Sequence, residues 1–402
     1  MLAYFAVAVT WLVLGSAGLI VIAPDLARSN LFAPRVFAVT HAFTLGFILT
    51  AITGAMHQFL PAVTGITIRH PRTAVAGFLL FLIGTPLIVA GFWWWNPRIQ
   101  AAGWIVLFAA VGCASMNLLP ARRRAARNRY VGGLVTLAHS ALGVAMLLAA
   151  MRIGSGLGWW HVDQASFIVA HFHLGVAGFG TLTALAFGSR MLPAFLGSAV
   201  EGTRRIRLIA TLVSTGLLVM SLSLLIPGSA GIRLGGALLA AAGLVHLHLL
   251  DDYFRLRRPG RFDPGLGLIA LAVAGYAIAL VLGILLLLFS GTRLTLWGGY
   301  AFLAIVGWLV TLILGVMHRV APRLVVLGAA GPGRSLSPDA RRAELVHDGI
   351  GWGTCAALAA GIVLTGLGII AGQPAVSRIG AVFVIGAALL TAAQAVWIRR
   401  HA

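Results

Sequence analysis

The chain has 402 residues, 60% of them apolar and only 9% charged, against about 25% charged in soluble domains, which excludes an ordinary soluble enzyme. Its formal charge of +20 comes from arginine alone, since the sequence contains no lysine. Most of those arginines stand in short segments between apolar runs, so the positive-inside rule accounts for them and a nucleic-acid partner is not implied.

Apolar runs of about 20 residues are long enough to cross a bilayer, and they predict twelve spans. These fall at residues 2–22, 36–60, 74–94, 101–119, 132–151, 165–189, 207–226, 232–250, 265–289, 295–317, 349–371 and 377–398. No basic leader precedes the first run, which is expected to be a span rather than a cleaved signal. Arg122, Arg123, Arg124, Arg127 and Arg129 follow span four, and Arg204, Arg205 and Arg207 follow span six. Arg255, Arg257, Arg258 and Arg261 follow span eight, and Arg399 and Arg400 follow span twelve. Loops after odd spans carry fewer, so both termini are expected in the cytoplasm. The polar stretch 328–347 reads as a cytoplasmic connector. Trp93–Trp95 and Trp159–Trp160 fall at span ends, as interfacial aromatic belts do.

All nine acids, among them Asp25, Asp163, Asp251, Asp252 and Asp263, lie in or beside predicted loops. Proton relays and ion-coupled transporters place carboxylates at mid-membrane, and this pattern argues against both. Cys113 and Cys355 form no CxxC or CxxCH pattern, so neither a disulfide framework nor covalently attached haem is indicated.

Internal repetition organises the chain. A shift of 132 residues superposes His41 on His173, Gly46 on Gly178, Phe47 on Phe179, Leu60-Pro61-Ala62 on Leu192-Pro193-Ala194, and Gly65 on Gly197. A shift of 261 superposes Gly46 on Gly307, Thr50 on Thr311, Gly54 on Gly315, Met56 on Met317, His57 on His318 and Pro61 on Pro322. The matched spans are two, six and ten. The expectation is therefore an all-α membrane protein, one transmembrane domain over 1–402, built as three four-helix repeats of about 1–130, 131–260 and 261–402.

Three four-helix units, with THAFTLGFILTAITGAMHQFLPAVTG in span two and AHFHLGVAGFGTLTALAFGSRMLPAF in span six, resemble subunit I of the haem–copper oxidases and nitric oxide reductases, in short single-chain form. Span two is also similar to the NnrS family of haem-binding membrane proteins linked to nitric oxide stress. The resemblance implies haem b and, secondarily, copper. It also implies a quinol or cytochrome redox partner and a diatomic gas ligand such as nitric oxide or oxygen. It places His41 where a low-spin haem ligand stands, and His171 or His173 on a span carrying a copper ligand. Span seven lacks the paired histidines of the family, and Phe302 replaces the outer histidine of span ten, so a complete oxidase site is not expected. A catalytic residue is not identified.

In lipid an imidazole needs a partner, and haem iron accepts neutral imidazole from both sides. His41 and His173 are repeat mates and form the candidate outer haem pair, with Phe43, Phe47 and Leu174 expected against the porphyrin. Hydrogen bonding between helices is the alternative for them. His171, about 200° from His173 around a helix, is the substitute. His57 and His318 form a second, inner pair. His41 and His57, sixteen residues apart, are expected on nearly opposite faces of span two, about 160° apart and roughly 24 Å along the axis. His139 is a further metal candidate. His246 and His248, with Asp251 beside them, alternate in a way that splays two rings and disfavours a shared ion. His70, His161, His347 and His401 are expected in solvent. The competing reading is a transporter or export channel without cofactor.

Overall fold

The computed structural model describes residues 2–65, 70–118, 129–200, 202–225, 230–258, 260, 262–289, 294–329 and 345–401. Twelve helices among them are long and apolar enough to cross a membrane. They are α1 Leu2–Ala27, α2 Pro34–Pro61, α3 Pro71–Trp93, α4 Pro97–Leu118, α5 Tyr130–Gly156 and α6 Ala165–Leu196. Then follow α7 Thr203–Leu222, α8 Ala230–Arg255, α9 Pro264–Leu288, α10 Leu294–Val325, α11 Asp348–Ile370 and α12 Pro374–His401. The fold class is all-α, with no strand among the described residues. The arginines at 122–127, Arg261 and most of the 328–347 connector lie outside the described residues.

The termini of the helices follow from local chemistry. Proline opens α2, α3, α4, α9 and α12, a position where its missing N–H costs nothing and its fixed φ suits the helix. Asn96, Asp163 and Asp263 cap α4, α6 and α9 by accepting hydrogen bonds from backbone N–H groups. Gly197, at φ 63°, closes α6 in the left-handed conformation. The described acids all sit at or within about a turn or two of helix ends, as expected.

Two compact units can be distinguished, one of residues 52–260 and 280–292, the other of residues 2–51, 261–279 and 293–402. In the first, α3 and α4 form a tight hairpin. Gly77, Gly84 and Gly91, spaced seven apart, face Cys113, Leu107 and Gln100, a small-residue seam of the kind that lets membrane helices approach closely. Asn117 locks its open end, donating to the His70 carbonyl at 3.0 Å and to Thr73 Oγ1 at 2.7 Å. Helices α7 and α8 meet similarly through Gly216 and Gly235. In the second unit, α11 and α12 meet through Gly361, Gly368 and Gly380.

Burial separates the helices into two classes. In α2, α6 and α10, 72%, 61% and 78% of the most apolar window is buried, against 22–44% in the other nine. The outer helices present Leu14, Leu79, Ile105, Leu147, Leu218 and Leu367 outwards, an apolar exterior suited to embedding in a lipid bilayer.

The same three buried helices share an unexpected local geometry. Each contains an eight-residue π-helical stretch: Ala42–Leu49, Leu174–Thr181 and Leu303–Val310. The offsets between them are the 132 and 261 residues of the sequence repeat. Threonine hydroxyls brace all three by donating five residues back: Thr50 to Leu45 at 3.0 Å, Thr181 to Val176 at 3.0 Å and Thr311 to Val306 at 2.7 Å. Wide turns of this kind are rare and concentrate at functional sites.

Candidate functional site

Four histidines of the buried helices, and His139 of α5, share one arrangement. His41 bonds through Nδ1 to the Phe37 carbonyl at 2.8 Å, His57 to Thr53 at 2.8 Å and His139 to Val135 at 2.8 Å. His173 bonds to Val169 at 2.7 Å and His318 to Leu314 at 2.9 Å. A carbonyl only accepts, so Nδ1 carries the proton in each ring. The neutral imidazole then keeps its lone pair on Nε2, the tautomer of a metal-ligating histidine whose other nitrogen is held by a carbonyl.

His171 behaves differently. Its Nδ1 donates to the carbonyl of Ala145 on α5 at 2.9 Å, tying α6 to α5. His173 is buried at 8% exposure, with the Phe172 ring edge-on at 5.2 Å. His41 lies in the second compact unit and His171 and His173 in the first. His57 and His139 are in the first unit and His318 in the second. Phe43, Phe47 and Leu174 are buried. The Phe43 ring lies over Gly15 of α1.

The angular expectation for His41 and His57 does not hold in its simple form. Eight of the intervening residues are π-helical, and a wider turn advances fewer degrees per residue, so 160° no longer describes their relation. His318 is buried, and its Nε2 meets no hydrogen-bond partner among the described residues. Beside it, Arg319 reaches Asp263.

His246 and His248 do splay. The first is buried at 3% exposure. The second is exposed and approaches Asp251 and Asp252, with one ligand atom of each within 4.8 Å of the others. Both acids already serve arginines, Asp252 pairing with Arg205 at 2.6 Å and Asp251 with Arg255 at 3.4 Å. His347 caps α11 by accepting from the Ile350 N–H at 3.2 Å, and it packs edge-on against Trp397. His401 stacks on the other part of that cluster, 4.0 Å from the Trp397 ring. The two are exposed, as expected.

Sequence reasoning missed the threonines that brace the π stretches, although Thr50 and Thr311 are repeat mates. It also missed Thr183, whose buried hydroxyl has no partner among the described residues.

No protein-family model matches the chain, and no curated protein sequence matches it significantly.

Proposed function

We propose that this chain is a b-type haem-binding protein of the bacterial inner membrane, related to subunit I of the haem–copper oxidases and nitric oxide reductases. Its role is electron transfer or the handling of nitric oxide or oxygen, without a full oxidase site. The observation that supports the reading is the shared imidazole geometry: His41, His57, His173 and His318 of the buried helices, and His139 of α5, each hold Nδ1 on the carbonyl four residues back. No described carboxylate stands at mid-helix. His41 and His173 are the axial-ligand candidates, with His57 and His318 next and His171 less suited because it serves Ala145. Bound haem would supply a one-electron iron centre, and a vacant axial position on it would take a diatomic gas. Copper is the second metal. The electron donor would be a quinol or a cytochrome.

The architecture proposed with it is three four-helix repeats, with α2, α6 and α10 innermost. The three π stretches at repeat offsets support this. So does a matching set of close approaches: Gly46 against Trp11 of α1, Gly178 against Ala141 of α5, and Gly307 against Gly275 of α9. In each case the buried helix meets its predecessor through the repeated glycine. The glycine hairpins α3–α4, α7–α8 and α11–α12 fill the remaining two places of each repeat. Both termini are placed in the cytoplasm by the arginine asymmetry.

The test is the absorption spectrum of the purified protein. A strong Soret band, lost or shifted in His41→Ala and His173→Ala while the protein still inserts and folds, is the expected result. A colourless, fully folded preparation would instead support a transporter or channel without cofactor.

A further inference from the structure

The interior of the first compact unit contains a polar cluster that the outer haem reading does not use. It lies where α6 packs against α5 on one side and the end of α2 on the other. Along α5, Ala145 meets His171 through a hydrogen bond, His139 meets Phe179 ring to ring at 6.0 Å, and Tyr130 meets Arg190 by a cation–π contact at 5.0 Å. Each step down α6 is thus matched by a nearly equal step back along α5. The helices run antiparallel, and Thr183 falls opposite about residues 135–136.

The His139 ring is drawn back along its helix by its bond to the Val135 carbonyl, which brings it to the depth of Thr183. On the other side, Phe59 of α2 packs against Phe187 of α6 at 6.4 Å. Four crossings separate α2 from α6, so the two run parallel, and His57 lies two residues above that contact. Its ring is drawn back towards Thr53, again to the depth of Thr183. Phe179, Thr183 and Phe187 follow one another at helical spacing, so they form one stripe of α6. The upper member touches His139 and the lower touches the Phe59 turn that carries His57.

Thr183 is 4% exposed, and its hydroxyl has no partner among the described residues. Thr85, Thr295 and Thr365 share this state among the described residues, whereas Thr44, Thr136 and Thr391 donate to the carbonyl four residues back. A buried hydroxyl without a partner costs free energy comparable to a lost hydrogen bond, which a ligand at this place would relieve.

We propose that His57, His139 and Thr183 form a site for a single copper ion, held as Cu(I) by the two Nε2 atoms with the threonine hydroxyl beside it. Imidazole nitrogen suits copper and zinc, and hard oxygen-seeking ions are disfavoured by the absence of carboxylates. Charge decides between the two. Among the described residues no carboxylate is placed at this site to neutralise the ion, and the cost of charging it in a low-dielectric interior rises with the square of its charge. A monovalent ion is therefore favoured over a divalent one. The proposal rests on reading this chain as a metal-carrying membrane protein; it needs no haem at His41 or His173, and it replaces the haem-ligand role of His57.

The experiment loads the full-length, detergent-solubilised protein anaerobically with Cu(I), removes unbound metal and counts metal per chain. One copper per chain is expected, with an X-ray absorption edge of low-coordinate Cu(I)–nitrogen type. His57→Ala and His139→Ala should each weaken copper binding by about tenfold or more, Thr183→Val less so, and His41→Ala not at all. Because an alanine variant can fail to fold, His57→Gln and His139→Gln, which keep most of the volume, are measured beside them and should lose copper likewise. Copper retained in both glutamine variants, no copper in the wild type, or zinc taken in its place would each overturn the proposal. Loss of the Soret band in His41→Ala with copper retained would separate this site from the haem reading. A colourless protein that still binds copper through His57 and His139 would sink the haem and leave this site standing.

Discussion

Arg319 of α10 reaches Asp263 at the start of α9, with Nη1 2.9 Å from Oδ2 and both side chains largely closed to solvent. The same carboxylate caps α9 through its other oxygen, which accepts from the Leu266 N–H at 2.9 Å. One acid thus fixes a helix terminus and neutralises a buried guanidinium.

Removing one partner of this pair strands the other. Arg319→Ala should cost about 3–5 kcal/mol, as breaking a buried pair does, and Asp263→Asn should cost less because asparagine still caps. The double variant Arg319→Met with Asp263→Asn should recover much of the loss. Thermal unfolding in detergent reads all three, and an Arg319→Ala protein as stable as wild type would show the pair to be incidental.

The repeated glycines give a sharper test of packing. A Cβ on Gly46 would fall 2.5 Å from Trp11 Cγ, and one on Gly178 would fall 2.5 Å from Ala141 Cβ. Gly46→Ala and Gly178→Ala should each destabilise by about 1–3 kcal/mol, the usual cost of overpacking. Gly143 has open space around it, so Gly143→Ala should be neutral or mildly stabilising. The contrast, measured in one detergent by the same melt, is the readout.

Asp163 offers a pH test outside the spans. Its hydrogen bonds to Ser166 hold its carboxyl below the usual carboxylate range. A folded-state pKa below the unfolded one means the stabilisation is present above about pH 4 and is lost as pH falls through the folded value. The stability gap between wild type and Asp163→Ala should therefore be full at neutral pH and close on acidification. A gap unchanged down to strongly acidic pH would contradict the cap.

Topology is tested by reporters fused after Arg129 and after Arg205. Both should report cytoplasm, and an external signal from either would reverse the proposed orientation.

The span positions were legible because hydropathy over twenty residues is a strong signal. The structure mainly lengthens the helices, starting α3 and α9 at Pro71 and Pro264 because proline is at home in a first turn, and running α6 through Pro193 to Leu196. The match of spans two, six and ten in the sequence lies in Gly, His and Pro, residues whose positions backbone geometry constrains. The π stretches were not. Their composition is as apolar as any α-helical span, and what distinguishes them is a hydrogen-bond offset that side-chain hydropathy does not encode. That is also why the angle between His41 and His57 was misjudged, and why a depth match between His57 and His139 emerges only from contacts such as Phe59 with Phe187.

A π stretch behaves as an α-helix carrying a surplus residue, so Ala42–Leu49, Leu174–Thr181 and Leu303–Val310 are places where chain length has slack. Deleting one residue there lets the turn tighten to ordinary winding while the helix continues on the far side. The same deletion between Gly77 and Gly91 has no surplus to absorb it and swings every later side chain of α3 by about 100°, off the α4 seam. Single-residue deletions scanned along α2, α6 and α10 should accordingly be tolerated in three short windows, at the same distance after His41, His173 and Phe302.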